Sequence, residues 1–297
     1  MQTTASSRSK RLAITPYLYL LPAFVVILTF QVLPIFYSLF VSFFEWDIIR
    51  ARRFVGLGNY LDLFRDVEFW QALFNTTVFA AGSVVFGLAI SLFIAVLLSR
   101  KIAGLNCYRL AYFIPYVTAM TAVAIVWKWL FNPQFGLLNY LLSLVGLPGT
   151  RWLQDPFWAR VAVIIFVIWK TMGFNILIFL TRLLDIDKTF YEAAEIDGAG
   201  PWRLFRYITW PLLGPTTLFL LIISTIFSFQ MFVPVYIMTP DGGPANSCST
   251  MVFFLYENAY VDFRMGYACS IAYVLFFIIL ALTLIQRKAL GRKLSGL

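Results

Sequence analysis

The chain is dominated by long apolar segments that carry no charge. Two of them, Leu12–Phe44 and Tyr207–Pro240, extend over 33 and 34 positions. A helix needs roughly 20 apolar residues to cross the hydrocarbon core of a bilayer. Charged residues make up only 12% of the sequence, whereas soluble domains contain about 25%. A soluble fold could not bury so much continuous apolar helix, so these segments indicate a multi-pass membrane protein.

The spacing of the apolar runs predicts an all-α membrane protein with six transmembrane helices. The first run is longer than a bilayer is thick and contains Pro22 and Pro34, so we expect it to tilt, kink or project beyond the membrane. Segment 131–158 contains only a short apolar stretch, which predicts an interfacial or re-entrant piece. The predicted helices lie at about 16–44, 75–99, 107–130, 159–181, 211–238 and 266–286.

The distribution of Lys and Arg predicts that both termini are cytoplasmic, because cytoplasmic loops carry an excess of basic residues. This orientation puts fourteen basic residues inside and seven outside, although the Arg50–Arg53 cluster opposes it. Residues 1–15 then form a cytoplasmic segment, 16–286 the transmembrane domain and 287–297 a cytoplasmic basic tail. These loop clusters account for the net charge of +9, so a lipid bilayer is expected as a partner and nucleic acid is not.

Residues 182–211, between the fourth and fifth predicted helices, have the pattern of two short helices with a break. Thr189 and Glu192 have the spacing of a capping box, which predicts a helix that starts directly after Thr189. Gly198 is typical of a helix C-terminus, and Pro201 of the first turn of a new helix. The loop therefore predicts a short helix, a glycine stop and a restart.

The first of these short helices has a face of small residues with acidic edges. Ala193 and Ala194 carry almost no side chain, so a partner protein could approach the backbone closely. Glu192 and Asp197 could pair with basic residues of that partner. A loop that simply lies on the inner membrane surface is the alternative interpretation.

The pattern of this loop resembles the EAA loop of ABC importer permeases. Glu192-Ala193-Ala194 is followed after three residues by Gly198, and further along by Ile208 and Trp210-Pro211. The family has Leu where this chain has Trp210. The likeness runs from about residue 16 to the end and favours the carbohydrate-type branch, similar to the maltose and glycerol-phosphate permeases. The other segments that resemble this branch are 54–60, 69–76, 127–133 and 242–246.

The resemblance implies a type I ABC importer permease fold with a conserved core over about 71–286. It also implies that residues 190–198 form a cytoplasmic coupling helix that docks on an ATPase subunit. The expected function is ATP-driven, binding-protein-dependent import of a sugar, polyol, glycosylated polyol or glycerol phosphate. The residues expected to couple to the ATPase subunit are Glu192, Ala193, Ala194, Asp197, Gly198 and Gly200.

The resemblance further implies a complex of several subunits in a bacterial-type plasma (inner) membrane. The expected partners are a second, related permease subunit that forms a heterodimer with this chain, two ATP-binding subunits and an extracytoplasmic substrate-binding protein. The sequence has no Gly-Lys pair and therefore no phosphate-binding P-loop. ATP and Mg²⁺ are thus expected on the partner ATPase subunits, and this chain is expected to be a translocation subunit without catalytic, cofactor or metal-binding residues.

Two other classes of protein compete with the importer interpretation. One is an ion-coupled secondary transporter, which usually needs buried acidic residues or unwound helices for the coupling ion. All 14 Asp and Glu fall in loops or at membrane edges, which weighs against it. The other is a membrane-embedded transferase, which the absence of both His and buried acids disfavours.

Polar and aromatic residues within the predicted spans are candidates for the solute path. Lys170 lies near the middle of the fourth predicted helix, and a charge inside a membrane span indicates a functional site by default. It could face the path or an interfacial partner. Ordinary helix packing through polar contacts is the alternative explanation for each candidate. The candidates are Trp169 and Tyr236 for stacking on sugars, Asn175, Ser228 and Gln230 for hydrogen bonds, and Lys170.

Overall fold

The computed structural model describes residues 17–47, 52–99 and 104–294. The predicted cytoplasmic segment 1–15 lies outside these residues. Most of the described part is helical, with one small two-stranded sheet. The helices are α1 (Tyr17–Ser42), α2 (Gly58–Arg65), α3 (Val67–Leu98), α4 (Leu105–Val117), α5 (Met120–Leu130), α6 (Leu137–Leu144), α7 (Pro156–Asp185), α8 (Lys188–Ile196), α9 (Pro201–Leu212), α10 (Gly214–Phe229), α11 (Val233–Met238), α12 (Met251–Tyr256) and α13 (Met265–Leu294).

Four of the described helices, α1, α3, α7 and α13, are long and apolar enough to cross a membrane. Two bent pairs, α4 with α5 and α9 with α10, raise the number of spans to six if each pair is one span. The predicted all-α membrane fold is therefore confirmed. The chain divides into two compact units, one of Met1–Leu63 with Asn258–Tyr273 and one of Phe64–Glu257 with Val274–Leu297.

The first unit contains α1, the small sheet and α2. The distortion expected in α1 takes the form of a π-helical turn over Leu28–Val32, directly before Pro34, which has no N–H for the carbonyl four residues earlier. Two short strands, β1 (Phe44–Glu45) and β2 (Arg53–Phe54), then pair in antiparallel orientation. In α2, Asn59 fastens this hairpin, because its side-chain amide donates to two backbone carbonyls of residues 42–44.

The second unit is built on α3 and α7. Each helix begins at an aspartate that accepts backbone N–H bonds from its first turn, Asp66 for α3 and Asp155 for α7, as is usual for helix N-caps. Their facing sides are buried and contain small residues beside large ones, for example Ala162 beside Phe166. The two helices therefore form a packed scaffold against which the broken helices lie.

The third predicted helix, 107–130, is not continuous, so that prediction is wrong. The structure has α4 and α5 instead, bent by 97° at Thr118 and Ala119. Both residues have extended backbone ψ angles, 151° and 124°. Pro115 inside α4 also lacks an N–H, so it weakens the last turn before the break.

The fifth predicted helix, 211–238, is also interrupted, and that prediction is wrong too. Helix α10 ends at Phe229 and α11 starts at Val233, with Phe232 in a non-helical conformation between them. Pro234 in α11 offers no N–H to the carbonyl of Gln230, which favours the break. The helix before it, α9, meets α10 at an angle of 62°.

The remaining predictions for the fold fall in the loops and at the end of the chain. Helix α6, at eight residues, is too short to span a membrane, as expected for segment 131–158. Residues 241–244 form a turn, with Asp241 and Gly243 at positive φ. Helix α13 continues to Leu294, so most of the segment predicted as a basic tail is helical. Helix α12 was not predicted.

Candidate functional site

The short helix α8 lies in the loop that the sequence singles out, but it starts earlier than predicted. Its N-cap is Asp187, whose carboxylate accepts the backbone N–H of Thr189 at 2.9 Å. The predicted capping box of Thr189 and Glu192 is therefore wrong, because Asp187 already takes the first free donor. The same hydrogen bond from Thr189 holds the pKa of the Asp187 carboxyl below its usual value.

The end of α8 forms a Schellman motif, and Gly198 is its left-handed residue with φ +77°. The N–H of Ala199 donates to the carbonyl of Ala194 at 2.9 Å, and that of Gly198 donates to Glu195 at 3.0 Å. A Cβ at Gly198 would meet no atom within 4 Å. Glycine is thus required here for its backbone conformation rather than for space. Gly200 then serves as the N-cap of α9.

The six residues predicted to couple to an ATPase subunit all lie on this one loop. Glu192, Ala193, Asp197, Gly198 and Gly200 are exposed, and Ala194 is half-buried. Beside them, the side chain of Ile196 is 87% exposed. This exposed apolar side chain lies beside the small residues and is accessible to a partner protein. Their role in coupling stays a prediction.

One side chain fastens α8 to the rest of the second unit. The hydroxyl of Tyr191 lies 3.0 Å from Oγ1 of Thr209, which is buried in α9. Its ring packs against the buried cluster that includes Leu180 and Leu213. Sequence reasoning missed Tyr191, because the adjacent Phe190 is also aromatic and nothing in the pattern marks which of the two packs inward.

The first unit contains a cavity of ≈ 510 Å³ and the second unit one of ≈ 580 Å³, and both have polar residues in their walls. The second is lined by residues of α3, α4, α5, α7, α10 and α11 and contains several predicted path residues. Ser228 contributes to its wall and lies 3.1 Å, oxygen to oxygen, from Ser83 of α3. The predicted residues that line this cavity are Lys170, Asn175, Ser228 and Gln230.

The two predicted stacking residues lie elsewhere. Trp169 lines a separate cleft with residues of α5 and packs on Trp127, with 5.1 Å between ring centroids. Tyr236 packs on Phe232 and Tyr256, with centroid distances of 5.1 and 5.4 Å. Neither is among the residues that line the cavity. The structure thus brings four of the six path candidates together.

Aromatic residues that sequence reasoning did not select line the cavity instead. Tyr116 and Phe174 stack at 5.1 Å with an angle of 20° between their rings, and Phe227 is 63% exposed. The chain contains 31 Phe and 15 Tyr, so no composition or spacing marks these three. Only the packing of α4, α7 and α10 selects them.

Lys170 is only 4% exposed and contacts backbone rather than another charged group. Its ammonium donates to the carbonyls of Pro115 at 2.5 Å, Tyr116 at 3.0 Å and Thr118 at 2.5 Å. These carbonyls lie at the bend between α4 and α5. Of the two sequence interpretations, the contacts favour a partner at an internal interface, although Lys170 also borders the cavity.

The second unit has helical spans around a cavity lined by polar and aromatic residues, and an exposed short helix connects two of these spans. This arrangement is that of a membrane transport subunit. Residues 87–295 match the family of binding-protein-dependent transport system inner membrane components. The match covers more than half of the chain, and the chain therefore belongs to this family.

Named relatives and a solved structure agree with this family. The chain is 36% identical to the lactose transport system permease protein LacF of Rhizobium radiobacter, over 96% of this chain and 97% of the relative. It is 30% identical to the sn-glycerol-3-phosphate transport system permease protein UgpA of Yersinia pestis, over 94% of each. A bacterial alginate ABC transporter, crystallised with an alginate pentasaccharide-bound periplasmic protein, has the same fold, with TM-score 0.84, 22% identity and 97% of each chain covered.

Proposed function

We propose that this chain is one of two related permease subunits of an ATP-driven, binding-protein-dependent importer. We propose further that the solute is a sugar, polyol, glycosylated polyol or glycerol phosphate. Membership of the family supports the permease role, and the relatives named for lactose and glycerol phosphate support the class of solute. ATP and Mg²⁺ bind to two partner ATPase subunits in this proposal, and both termini are cytoplasmic.

The observation that carries the coupling proposal is the exposed surface of α8. Ala193 and Ala194 leave room for the partner's backbone, while Ile196 presents an apolar side chain that is 87% exposed. Glu192 and Asp197 flank this surface and are available to pair with basic residues of an ATPase subunit. A small apolar centre with a charged rim has the composition of a specific protein interface.

The proposed mechanism uses α8 as a rigid lever. ATP binding closes the two ATPase subunits and displaces α8. The contact of Tyr191 with Thr209 transmits this displacement to the membrane helices, and the Schellman turn keeps α8 in one orientation relative to α9. The helices around the cavity then rotate and turn it outward, where the substrate-binding protein delivers solute. Hydrolysis of ATP resets the complex.

The test is to purify this chain gently from its native membrane and to identify stoichiometric companions by mass spectrometry. We expect a second permease subunit, two copies of an ATP-binding subunit and a substrate-binding protein. A photo-crosslinking amino acid at Ile196 should then link this chain to the ATP-binding subunit. Purification of the chain alone, under conditions that preserve other complexes, would contradict the proposal.

A matched crosslinking control is the same amino acid at Val145, which is 70% exposed in the loop after α6. We expect that loop on the opposite side of the membrane, so a probe at Val145 should not react with the ATP-binding subunit. Equal crosslinking from Ile196 and Val145 would show contact without specificity and would argue against a coupling role for α8.

A further inference from the structure

The break between α4 and α5 creates a problem that must be solved inside the protein. A helix leaves its last four carbonyls without partners from the next turn. Here the next helix departs at 97°. Thr118 at the bend donates its N–H to the carbonyl of Ile114 and its hydroxyl to that of Pro115, but the carbonyl of Tyr116 needs a donor from elsewhere. In a lipid environment no water is available, and irregular backbone is tolerated only where protein or a water-filled cavity satisfies it.

Lys170 solves this problem from a different helix. An ammonium group has three N–H donors and no acceptor. All three are used by carbonyls at the break, those of Pro115, Tyr116 and Thr118, at 2.5, 3.0 and 2.5 Å. The positive charge also lies at the carbonyl end of α4, where the helix dipole favours a cation.

The close approach of α4 to α7 makes this arrangement possible. Gly173 lies one turn after Lys170 in α7, and a Cβ there would be 2.0 Å from the backbone oxygen of Tyr112. The two helices therefore touch through backbone beside the ammonium group. Lys170 is 4% exposed as a result, and its side chain is enclosed between α7 and the end of α4.

The remaining described residues of the cavity wall carry no charge. They offer hydroxyl and amide groups, such as Ser228, Asn175 and Gln230, and aromatic rings such as Tyr116 and Phe174. An anionic solute could pair with Lys170 only if the ammonium left the carbonyls of Tyr116 and Thr118. The carbonyl of Pro115 also accepts from the hydroxyl of Thr118. A neutral solute that offers hydroxyl groups and sugar faces can bind while Lys170 stays on these carbonyls.

We propose that Lys170 is a positioning residue that holds the broken third span against the cavity, and that the solute carried past this wall is an uncharged carbohydrate or polyol. The assignment of an uncharged solute rests on the proposed import function and narrows it, because it excludes glycerol phosphate and acidic sugars. The positioning role of Lys170 concerns the fold of this chain and stands without the import function.

The bend is tested by a distance across it in the purified complex. Spin labels at Leu110 in α4 and Val126 in α5, both exposed, report this distance by pulsed electron resonance, with the exposed Cys107 replaced by serine. Lys170→Met should shift or broaden the distribution, whereas Lys170→Arg should preserve it. Lys128→Met, the same change at an exposed lysine of α5, is the matched control and should leave it unchanged.

An unchanged distance in Lys170→Met would overturn the positioning role. Since this measurement needs no transport, it separates a failure of this inference from a failure of the proposed function. If Lys170→Met does not assemble, Lys170→Arg still decides the matter. If the arginine variant keeps both the distance and the uptake, the positioning role is supported, because a cation with several N–H donors can then replace the ammonium. If the arginine variant loses both while Lys128→Met is normal, the positioning role is contradicted.

The charge of the solute is tested on the wild-type complex. The ligand released from the co-purified substrate-binding protein is identified by mass spectrometry, and its uptake is measured in proteoliposomes that contain the whole importer. We expect an uncharged carbohydrate or polyol, and Lys170→Met should lower the maximal rate several-fold with little change in KM. A phosphate ester or carboxylated sugar as the ligand, or a rise in KM alone, would overturn the assignment.

Discussion

The ends of α8 and α4 solve the same problem in opposite ways. At the end of α8, the free carbonyls accept N–H groups from Gly198 and Ala199, a few positions further along the chain. At the end of α4, the free carbonyls accept from Lys170, which is 52 to 55 positions away. The first helix end is closed by local sequence. At the second, Thr118 supplies local donors to Ile114 and Pro115, and tertiary packing supplies the donor to the carbonyls of Tyr116 and Thr118.

The surroundings of the two helix ends explain the difference. The loop that contains α8 is exposed, so its carbonyls need only a local turn or a polar solvent. The bend between α4 and α5 belongs to a pair of helices that is apolar enough to span a membrane, where an unsatisfied carbonyl is costly. A local glycine stop therefore suffices for α8, whereas α4 needs a charged donor from α7.

The largest expected effect comes from the packing that brings this donor to α4. In Gly173→Ala the new Cβ would lie 2.0 Å from the backbone oxygen of Tyr112. Backbone cannot yield as a flexible side chain can, so we expect destabilisation of about 3 kcal/mol or more. The measurement is the thermal unfolding midpoint of the purified complex in detergent.

The control for this variant is Gly87→Ala in α3. Its Cβ would lie 3.8 Å from Ile168 of α7, which is an ordinary contact. We expect an unfolding midpoint close to that of the wild type. Equal midpoints for the two variants would mean that the approach of α4 to α7 is not as close as the structure has it.

The next effect concerns the local stop of α8. In Gly198→Val, a β-branched residue would have to adopt φ +77°, at a cost of about 1–2 kcal/mol. We expect the turn to rearrange and ATP-driven uptake to fall by roughly tenfold, which corresponds to about 1.4 kcal/mol. Uptake is measured in proteoliposomes with the amount of assembled complex held equal.

Gly146→Val is the matched control, since Gly146 has φ +74° with open space around it but lies in the loop after α6. The backbone strain is the same, and uptake should remain near that of the wild type. A similar loss in both variants would assign the effect to strain in general rather than to the geometry of α8.

A smaller effect is expected where α8 is fastened to α9. Tyr191→Phe removes the hydroxyl that lies 3.0 Å from Thr209, which weakens the attachment by about 1 kcal/mol. We expect less solute carried per ATP hydrolysed, while ATP hydrolysis itself continues. Tyr207→Phe removes a hydroxyl from a side chain that is 75% exposed and should leave this ratio unchanged, so equal ratios in the two variants would argue against the lever.

The smallest effect is expected at the start of α8. Asp187→Asn retains a side-chain oxygen that can accept the N–H of Thr189, so uptake at neutral pH should hardly change. The Asp187 carboxyl has a lowered pKa, so its stabilisation is complete above about pH 4 and is lost only as the pH falls through the lowered value. Uptake by the wild type and by Asp187→Asn should therefore be equal from neutral to mildly acidic pH. A difference between them that changes with pH in this range would contradict the prediction.

The predictions from sequence were most accurate where the determinants are local. The apolar runs indicate the membrane class, and the glycine stop and proline restart around Gly198 and Pro201 are present as expected. Even there, the assignment of Thr189 as the N-cap was wrong, because Asp187, a residue type that also favours this position, caps the helix. The breaks near Pro115 and Pro234 were missed, because continuous hydropathy hides an interruption that other helices satisfy.

The amino-acid sequence by itself determined the membrane class, the family pattern in the 182–211 loop and the local ends of α8. Hydrophobic length and backbone preference act over a few residues, so they can be read along the chain. Only the tertiary structure decided that Lys170 contacts the end of α4, that Tyr116 and Phe174 form a cavity wall and that Trp169 and Tyr236 lie outside it. Those outcomes depend on which helices touch, and contacts between different helices leave no periodic signal in one sequence.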